Sequence, residues 1–362
     1  MSICSVGSIG LIAMLCCLGC QATTPEPSTS TSTTATVPVV VVTKDSVGER
    51  MLLYQRNNGG WPQPGGDAID YSKALTEAQK TTLKSEKSKL DATIDDKATT
   101  NEIKTLVTIY KSTHNADYLK AAENGIRYLL TAQNIAGGWG QFYPDTSGYR
   151  KHITYNDNAM IDVMWVLKYT AEGTNNFEVV DKTLIPLAQS AITKGIACIL
   201  KTQIVQNGTL TAWCAQHDRV TLLPTKARAF ELPSISGNES VGIVQFLMGI
   251  DNPSADIKKA INAAAAWFEK VKIVGFKVID VVDASQPSGK DRIVVADPNA
   301  TIWARFYNLD TNIPFFTGRD SVPRANLADI ENERRIGYAY YGTWPTQLLG
   351  TDYPNWVKKW GK

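Results

Sequence analysis

A short phrase recurs three times along this chain, each time at the end of an apolar, helix-periodic run. The copies are Met51 to Gln63 (MLLYQRNNGGWPQ), Tyr128 to Gln141 (YLLTAQNIAGGWGQ) and Cys198 to Gln216 (CILKTQIVQNGTLTAWCAQ). Each gives an apolar helix end, a glutamine, a glycine-containing turn, a tryptophan and a second glutamine. The first glutamines, Gln55, Gln133 and Gln203, are 78 and 70 residues apart, and Trp267 to Phe276 reads as a degenerate fourth copy. That period is too long for tightly turned helix pairs, but it suits helical hairpins carrying long loops.

The segments between the copies support this. Residues from Asn101 and from Asp117 carry apolar side chains at i, i+3, i+4 and i+7, with Asn115 and Asp117 beside the break. The runs from Asn158 and from Leu187 continue the pattern. Hairpins that each bury one face must close on one another. The expected fold is therefore mainly all-α: an α/α toroid of about three helical hairpins with long loops. A few short strands are expected, best signalled at Lys277 to Asp283 and Arg292 to Asp297, as a small loop-borne hairpin. Loops gathered at one end of such a ring are where function is expected.

The first 20 residues hold no charged side chain and an apolar run, Ile9 to Leu18, that ends in Gly19-Cys20. The run has the length of a signal-peptide core rather than a membrane span. Leu18-Gly19-Cys20 resembles the end of a bacterial lipobox, with Cys20 as the lipidated residue; an ordinary signal peptide is the alternative. Residues 21–44 are rich in Ser, Thr and Pro and read as a solvated linker, and residues 45–362 as one domain. Export leaves Cys198 and Cys214 as either a disulfide or two buried thiols. The 37 basic and 35 acidic residues argue against nucleic acid as a partner but permit an anionic substrate if several arginines converge. A monomer is expected.

Four stretches are polar, compact and bounded by helices: Ala92 to Ile103, Tyr149 to Met160, Lys226 to Val241, and Trp303 to Asp320 with its continuation from Glu331 to Gly342. In type and order they resemble the signatures of the family-ten polysaccharide lyases, pectate lyases built on an α/α toroid. The resemblance runs from about Asn58 to Trp344. It implies cleavage of polygalacturonate (pectate) by β-elimination to 4,5-unsaturated products, with Ca²⁺ as cofactor.

Residue by residue, the resemblance implies calcium-associated carboxylates at Asp95 and Asp157. Asp96, where the family commonly has asparagine, is an alternative to Asp95. Calcium takes several hard oxygen ligands, yet both aspartates precede helical runs and could equally be N-caps. The resemblance also implies a catalytic arginine at Arg228, acting as base, with a pKa expected to fall through desolvation near Ca²⁺ and another cation; simple pairing with substrate or with Glu231 is the alternative. Arg305 and Arg319 match arginines that hold substrate carboxylates through bidentate forks, and Lys151 and His152 are weaker candidates for the same cleft. Glu231 and Glu239 are expected to fix loops by hydrogen bonding. Arg334 and Arg335 read as structural, and Tyr338, Tyr340, Tyr341 and Trp344 as core or as sugar-stacking residues. Competing readings are a glycoside hydrolase using Asp157 and Glu231, a non-catalytic polyuronate-binding module, and a terpenoid cyclase, which lacks its aspartate-rich motif here.

Overall fold

Several helices begin where a short polar side chain satisfies their first amides. The structure, a computed structural model, describes residues 42–361; the expected signal peptide, Cys20 and nearly all of the expected linker lie outside them. Asp45 accepts from Val47 N and Gly48 N to open α1 (Ser46–Tyr54). A reciprocal Thr76–Gln79 capping box opens α2 (Glu77–Ser85). Then follow α3 (Thr100–Thr113), α4 (Ala116–Ala132), capped by Asn115, α5 (Ala159–Glu172), α6 (Leu184–Thr202), α7 (Glu239–Met248) and α8 (Ala255–Val271), capped by Ser254.

These pack as the three expected hairpins, α3–α4, α5–α6 and α7–α8. Helices α3, α5 and α7 contact one another as one layer, and α1, α4, α6 and α8 form the other. One continuous core, from Met51 to Trp356, fills the space between them. The result is the mainly-α toroid.

The recurring phrase is the joint between neighbouring hairpins. Each tryptophan donates Nε1–H to the carbonyl four residues before the glutamine: Trp61 to Met51, Trp139 to Leu129 and Trp213 to Ile199, at 2.7–2.8 Å. Each first glutamine spans two elements through Nε2. Gln55 donates to Gly59 O and, on α4, to Ala121 O; Gln133 to Gly137 O and, on α6, to Ala191 O; Gln203 to Thr211 O and, on α8, to Ala260 O. Buried carbonyls beyond each helix end are thereby paired. The first glycine of each GGW lets the turn touch the next helix: at Gly59 (φ +94°) and Gly137 (φ +90°) a Cβ would lie 2.3 Å from Asn124 O or Lys194 O.

The fourth copy is real but interrupted. Trp303 Nε1 donates to Phe268 O at 2.8 Å, the same joint, with Lys272 where the glutamine would be. The turn between them has grown into a long antiparallel hairpin.

Short strands knit the loops: β1 (Ile153–Thr154) pairs with β4 (Gln216–His217), β2 (Val205–Gln206) with β3 (Thr209–Leu210), and β5 (Ile235–Ser236) with β8 (Phe306–Tyr307). The inserted hairpin is β6 (Ile273–Val282) with β7 (Lys290–Ala304), longer than the sequence signalled. Its β7 runs on through Trp303 to pair with β11 (Tyr341–Gly342). Between them β9 (Phe316–Thr317) pairs with β10 (Pro323–Arg324). Cys198 and Cys214 are separate buried thiols; burial pushes the Cys198 thiol up to about 12.

Candidate active site

The turns before α3 and α5 have the same build. Thr93-Ile94-Asp95-Asp96-Lys97-Ala98 lies ahead of one and Thr154-Tyr155-Asn156-Asp157-Asn158-Ala159 ahead of the other. Asp96 (φ 43°, ψ 39°) and Asp157 (φ 49°, ψ 30°) occupy the left-handed region, as do the residues after them, Lys97 and Asn158. Aspartate and asparagine tolerate this conformation better than most residues. Neither Asp95 nor Asp157 caps a helix, since the cap positions belong to Thr99 and Asn158. Instead Asp95, Asp96 and Asp157 converge, each offering an oxygen within 4.8 Å of the others.

Burial, then the neighbouring charge of Asp96, raises the pKa of Asp95; a bond from Gln141 Nε2 (3.0 Å) opposes this in part. Burial likewise raises that of Asp157, with Glu239 and Asp96 adding to it and Arg305 opposing. Three crowded carboxylates are an all-oxygen donor set suited to a hard divalent cation, and such a cation would relieve their repulsion. Gln63 Nε2 donates to Asp96 Oδ2 at 2.9 Å. The second glutamines of the first two repeats therefore each hold a carboxylate of the cluster, a role that their place in the repeat could have signalled. The third, Gln216, is buried at the β1–β4 pairing.

The arginines share one mode of presentation. Arg228 donates through Nε (2.8 Å) and Nη2 (2.5 Å) to Glu231. Arg305 donates through Nε (3.1 Å) and Nη2 to Glu239, with Nη2 also 3.2 Å from Asp157 Oδ1. Arg319 donates through Nε (3.0 Å) and Nη2 (2.9 Å) to Glu333, and Arg334 through the same two nitrogens to the same carboxylate. One edge of each guanidinium is clamped by a glutamate. Among the described residues Nη1 of each makes no hydrogen bond.

Aromatic rings complete the wall. The Arg228, Arg334 and Arg319 guanidinium carbons lie 4.9, 4.7 and 6.0 Å from the centre of the Phe230 ring. Arg305 lies over Tyr338 at 4.5 Å, and the Tyr338 hydroxyl donates to Glu231 Oε1 at 2.9 Å. A contiguous set of contacts therefore runs from Asp157 through Arg305, Tyr338 and Glu231 to Arg228. Phe230 carried no distinguishing pattern in the sequence. Arg334, read as structural, stands in this wall. Arg335, read the same way, is structural: it is buried and bidentate to Asp291.

One expectation changes. Burial pulls the pKa of Arg228 down, but the hydrogen bonds and charge of Glu231 outweigh it, so with only protein groups around it the pKa stands above the ordinary value. Among the described residues, Lys151 and His152 make no hydrogen bond to the cluster. His152 Nδ1 is 3.3 Å from Asp218 Oδ2, out of line for a hydrogen bond, and burial lowers its pKa. Lys151 lines a cavity of about 430 Å³ with Phe142, Tyr143 and Arg219.

Comparison with known proteins gives this arrangement a family. The family model for pectic acid lyase matches residues 55–349, whereas a search of curated proteins found no match. The chain is 34% identical to the family 10 polysaccharide lyase from Cellvibrio cellulosa, with TM-score 0.74, covering 87% of this chain and 92% of that one. An aspartate-to-alanine mutant of that lyase, in complex with trigalacturonic acid, matches at 34% identity and TM-score 0.75, covering 88% and 93%. The chain thus belongs to the pectic acid lyase family and is a polysaccharide lyase.

Proposed function

We propose that this enzyme cleaves polygalacturonate by calcium-assisted β-elimination, with Arg228 as the base. The observation that carries the proposal is the convergence of a three-carboxylate cluster with arginines that each keep one guanidinium nitrogen uncommitted. The complex of the related lyase with trigalacturonic acid supports a uronate chain as substrate. Asp95, Asp96 and Asp157 would hold the Ca²⁺. Once bound beside a uronate carboxylate, the ion would offset the charge that builds there as the C5 proton leaves.

The chain's own groups do the rest. Nη1 of Arg305 and of Arg319 face uronate carboxylates, and their glutamate-clamped edges set the orientation of each fork. Arg334 widens the same cationic wall beside Phe230. The neutral Arg228 side chain takes the C5 proton at Nη1. The C5–H electron pair becomes the C4=C5 double bond, the C4–O bond breaks, and the leaving oxygen is protonated from solvent. Glu231 and Tyr338 fix the reach of Arg228, which matters first in base catalysis.

Mixing the protein with polygalacturonate and calcium should produce the ultraviolet absorbance of the unsaturated uronide. EDTA should abolish it and added calcium restore it. A hydrolase or a binding module would produce no such absorbance, and full turnover in metal-free buffer would refute the cation assignment.

A further inference from the structure

Glu239 has no part in the chemistry above and is only 2% exposed. Its contacts nevertheless lead to the acidic cluster. Ser236 Oγ donates to Oε2, Asn238 Nδ2 to Oε1 at 3.3 Å, and Arg305 to Oε1 through both Nε and Nη2. The same Arg305 Nη2 also reaches Asp157 Oδ1. Arg305 is itself buried, with its ring neighbour Tyr338 restricting tilt. A single guanidinium nitrogen is thus shared between a buried glutamate and a partly exposed carboxylate of the cluster.

We propose that Glu239 is a positioning residue for the cation site, acting through Arg305. An arginine with an unclaimed edge closes bidentately on a neighbouring carboxylate. Glu239 occupies that edge and balances the arginine's charge. Asp157 therefore receives one hydrogen bond from Arg305, beside one from Asn156 Nδ2 to Oδ2 at 2.6 Å, rather than a bidentate pair with a full opposing charge, and it stays available to a divalent cation. A buried ion pair is a weak device for stability, and an apolar replacement often serves as well. Partners one step removed from a metal typically change its affinity by about 10–100-fold. The inference rests on the calcium assignment proposed above.

Calcium binding is read directly, by titration calorimetry on the full chain and by terbium luminescence, with KM and kcat at saturating calcium alongside. Glu239→Gln should weaken calcium binding by about tenfold or more, because Arg305, freed on one edge, turns onto Asp157. The double variant Glu239→Gln/Arg305→Met removes the competing cation as well as its clamp. Its calcium constant should return to within about threefold of wild type through coupling of the two sites, while KM for polygalacturonate stays raised. A role for Glu239 in folding alone would leave the double variant no better than the single. An unchanged constant in Glu239→Gln, or a double variant as weak as the single, would overturn this inference and leave the calcium assignment standing. Wild-type protein that binds no calcium would overturn both. Should the single variant fail to fold, the double variant decides: a wild-type-like constant supports the inference, and a loss of tenfold or more, of the size expected for such partners, overturns it.

Discussion

At Arg228, what governs the chemistry is which edge of the guanidinium is already taken. Nε and Nη2 are held by Glu231, so proton transfer falls to Nη1. Arg228→Ala should lose nearly all turnover while still binding substrate, because a base acts in the transition state and contributes less to the ground state. Arg228→Lys should be almost as poor, since one nitrogen on a different stem cannot both hold Glu231 and reach C5. Arg305→Ala and Arg319→Ala should mainly raise KM. The Glu231 pairing keeps Arg228 protonated well into alkaline solution, and only its neutral form is active. The rate should therefore climb with pH by about tenfold per unit, the slope of a single deprotonation. Michaelis curves on the three variants across pH check this; an Arg228→Ala enzyme with wild-type kcat and raised KM would be missing a binder, not a base. The carboxylates give a prediction of opposite sense. Asp95 and Asp157 have raised pKa values, so the folded state holds protons that the unfolded chain releases. Their contribution is most favourable below the unfolded carboxylate pKa and is lost as pH rises through the folded values. Asp95→Asn should raise Tm in EDTA at neutral pH and cancel the stabilisation that calcium gives the wild type, as differential scanning calorimetry would record.

Among the elements, the joints matter more than the helices. Gln133 Nε2 pairs two carbonyls, Gly137 O and Ala191 O on the next hairpin. Gln133→Leu should leave Gly137 O unpaired, while Ala191 O keeps its bond within α6, and cost roughly 1–3 kcal/mol, the penalty of one unsatisfied buried group. The folded fraction should keep wild-type KM and kcat in urea-dependence experiments paired with assays. Gly137→Ala should cost more, because the new Cβ meets Lys194 O at 2.3 Å from a backbone at φ +90°. These joints were legible in the sequence because hairpins repeat and hydrogen-bonding needs repeat with them. The phrase announced three copies and hinted at the fourth. Helices α3 to α6 followed from apolar spacing, whereas the length of β6–β7 did not, since its alternation is broken by Gly275 and the register shift there. The convergence of Asp95, Asp96 and Asp157 was also beyond reach of spacing alone. It depends on two left-handed turns in different hairpins facing one another, and on Arg305 arriving from the end of β7. The glutamate clamps escaped for the same reason: Glu239 is 66 positions from Arg305, and only the closed ring brings them together.

For the molecule as a whole, the ring is one part of a longer chain. Its first helix starts at Ser46, preceded in sequence by the Ser/Thr/Pro-rich stretch and the apolar run that ends at Gly19-Cys20. A two-residue glycine–cysteine end to an uncharged apolar run suits lipidation, and a solvated linker of about 24 residues would give the domain reach. That reach suits an enzyme whose polymeric substrate is too large to diffuse to it. We therefore predict that the wild-type protein fractionates with membranes and carries lipid on Cys20 by mass spectrometry. Cys20→Ala should release it to the soluble fraction with catalytic constants on short oligogalacturonates unchanged, because the ring and its cleft lie beyond the linker. Shortening the linker by half should leave oligogalacturonate turnover intact but slow attack on insoluble pectate, separating reach from chemistry. A wild-type protein that is soluble and unlipidated would replace the anchor with simple secretion.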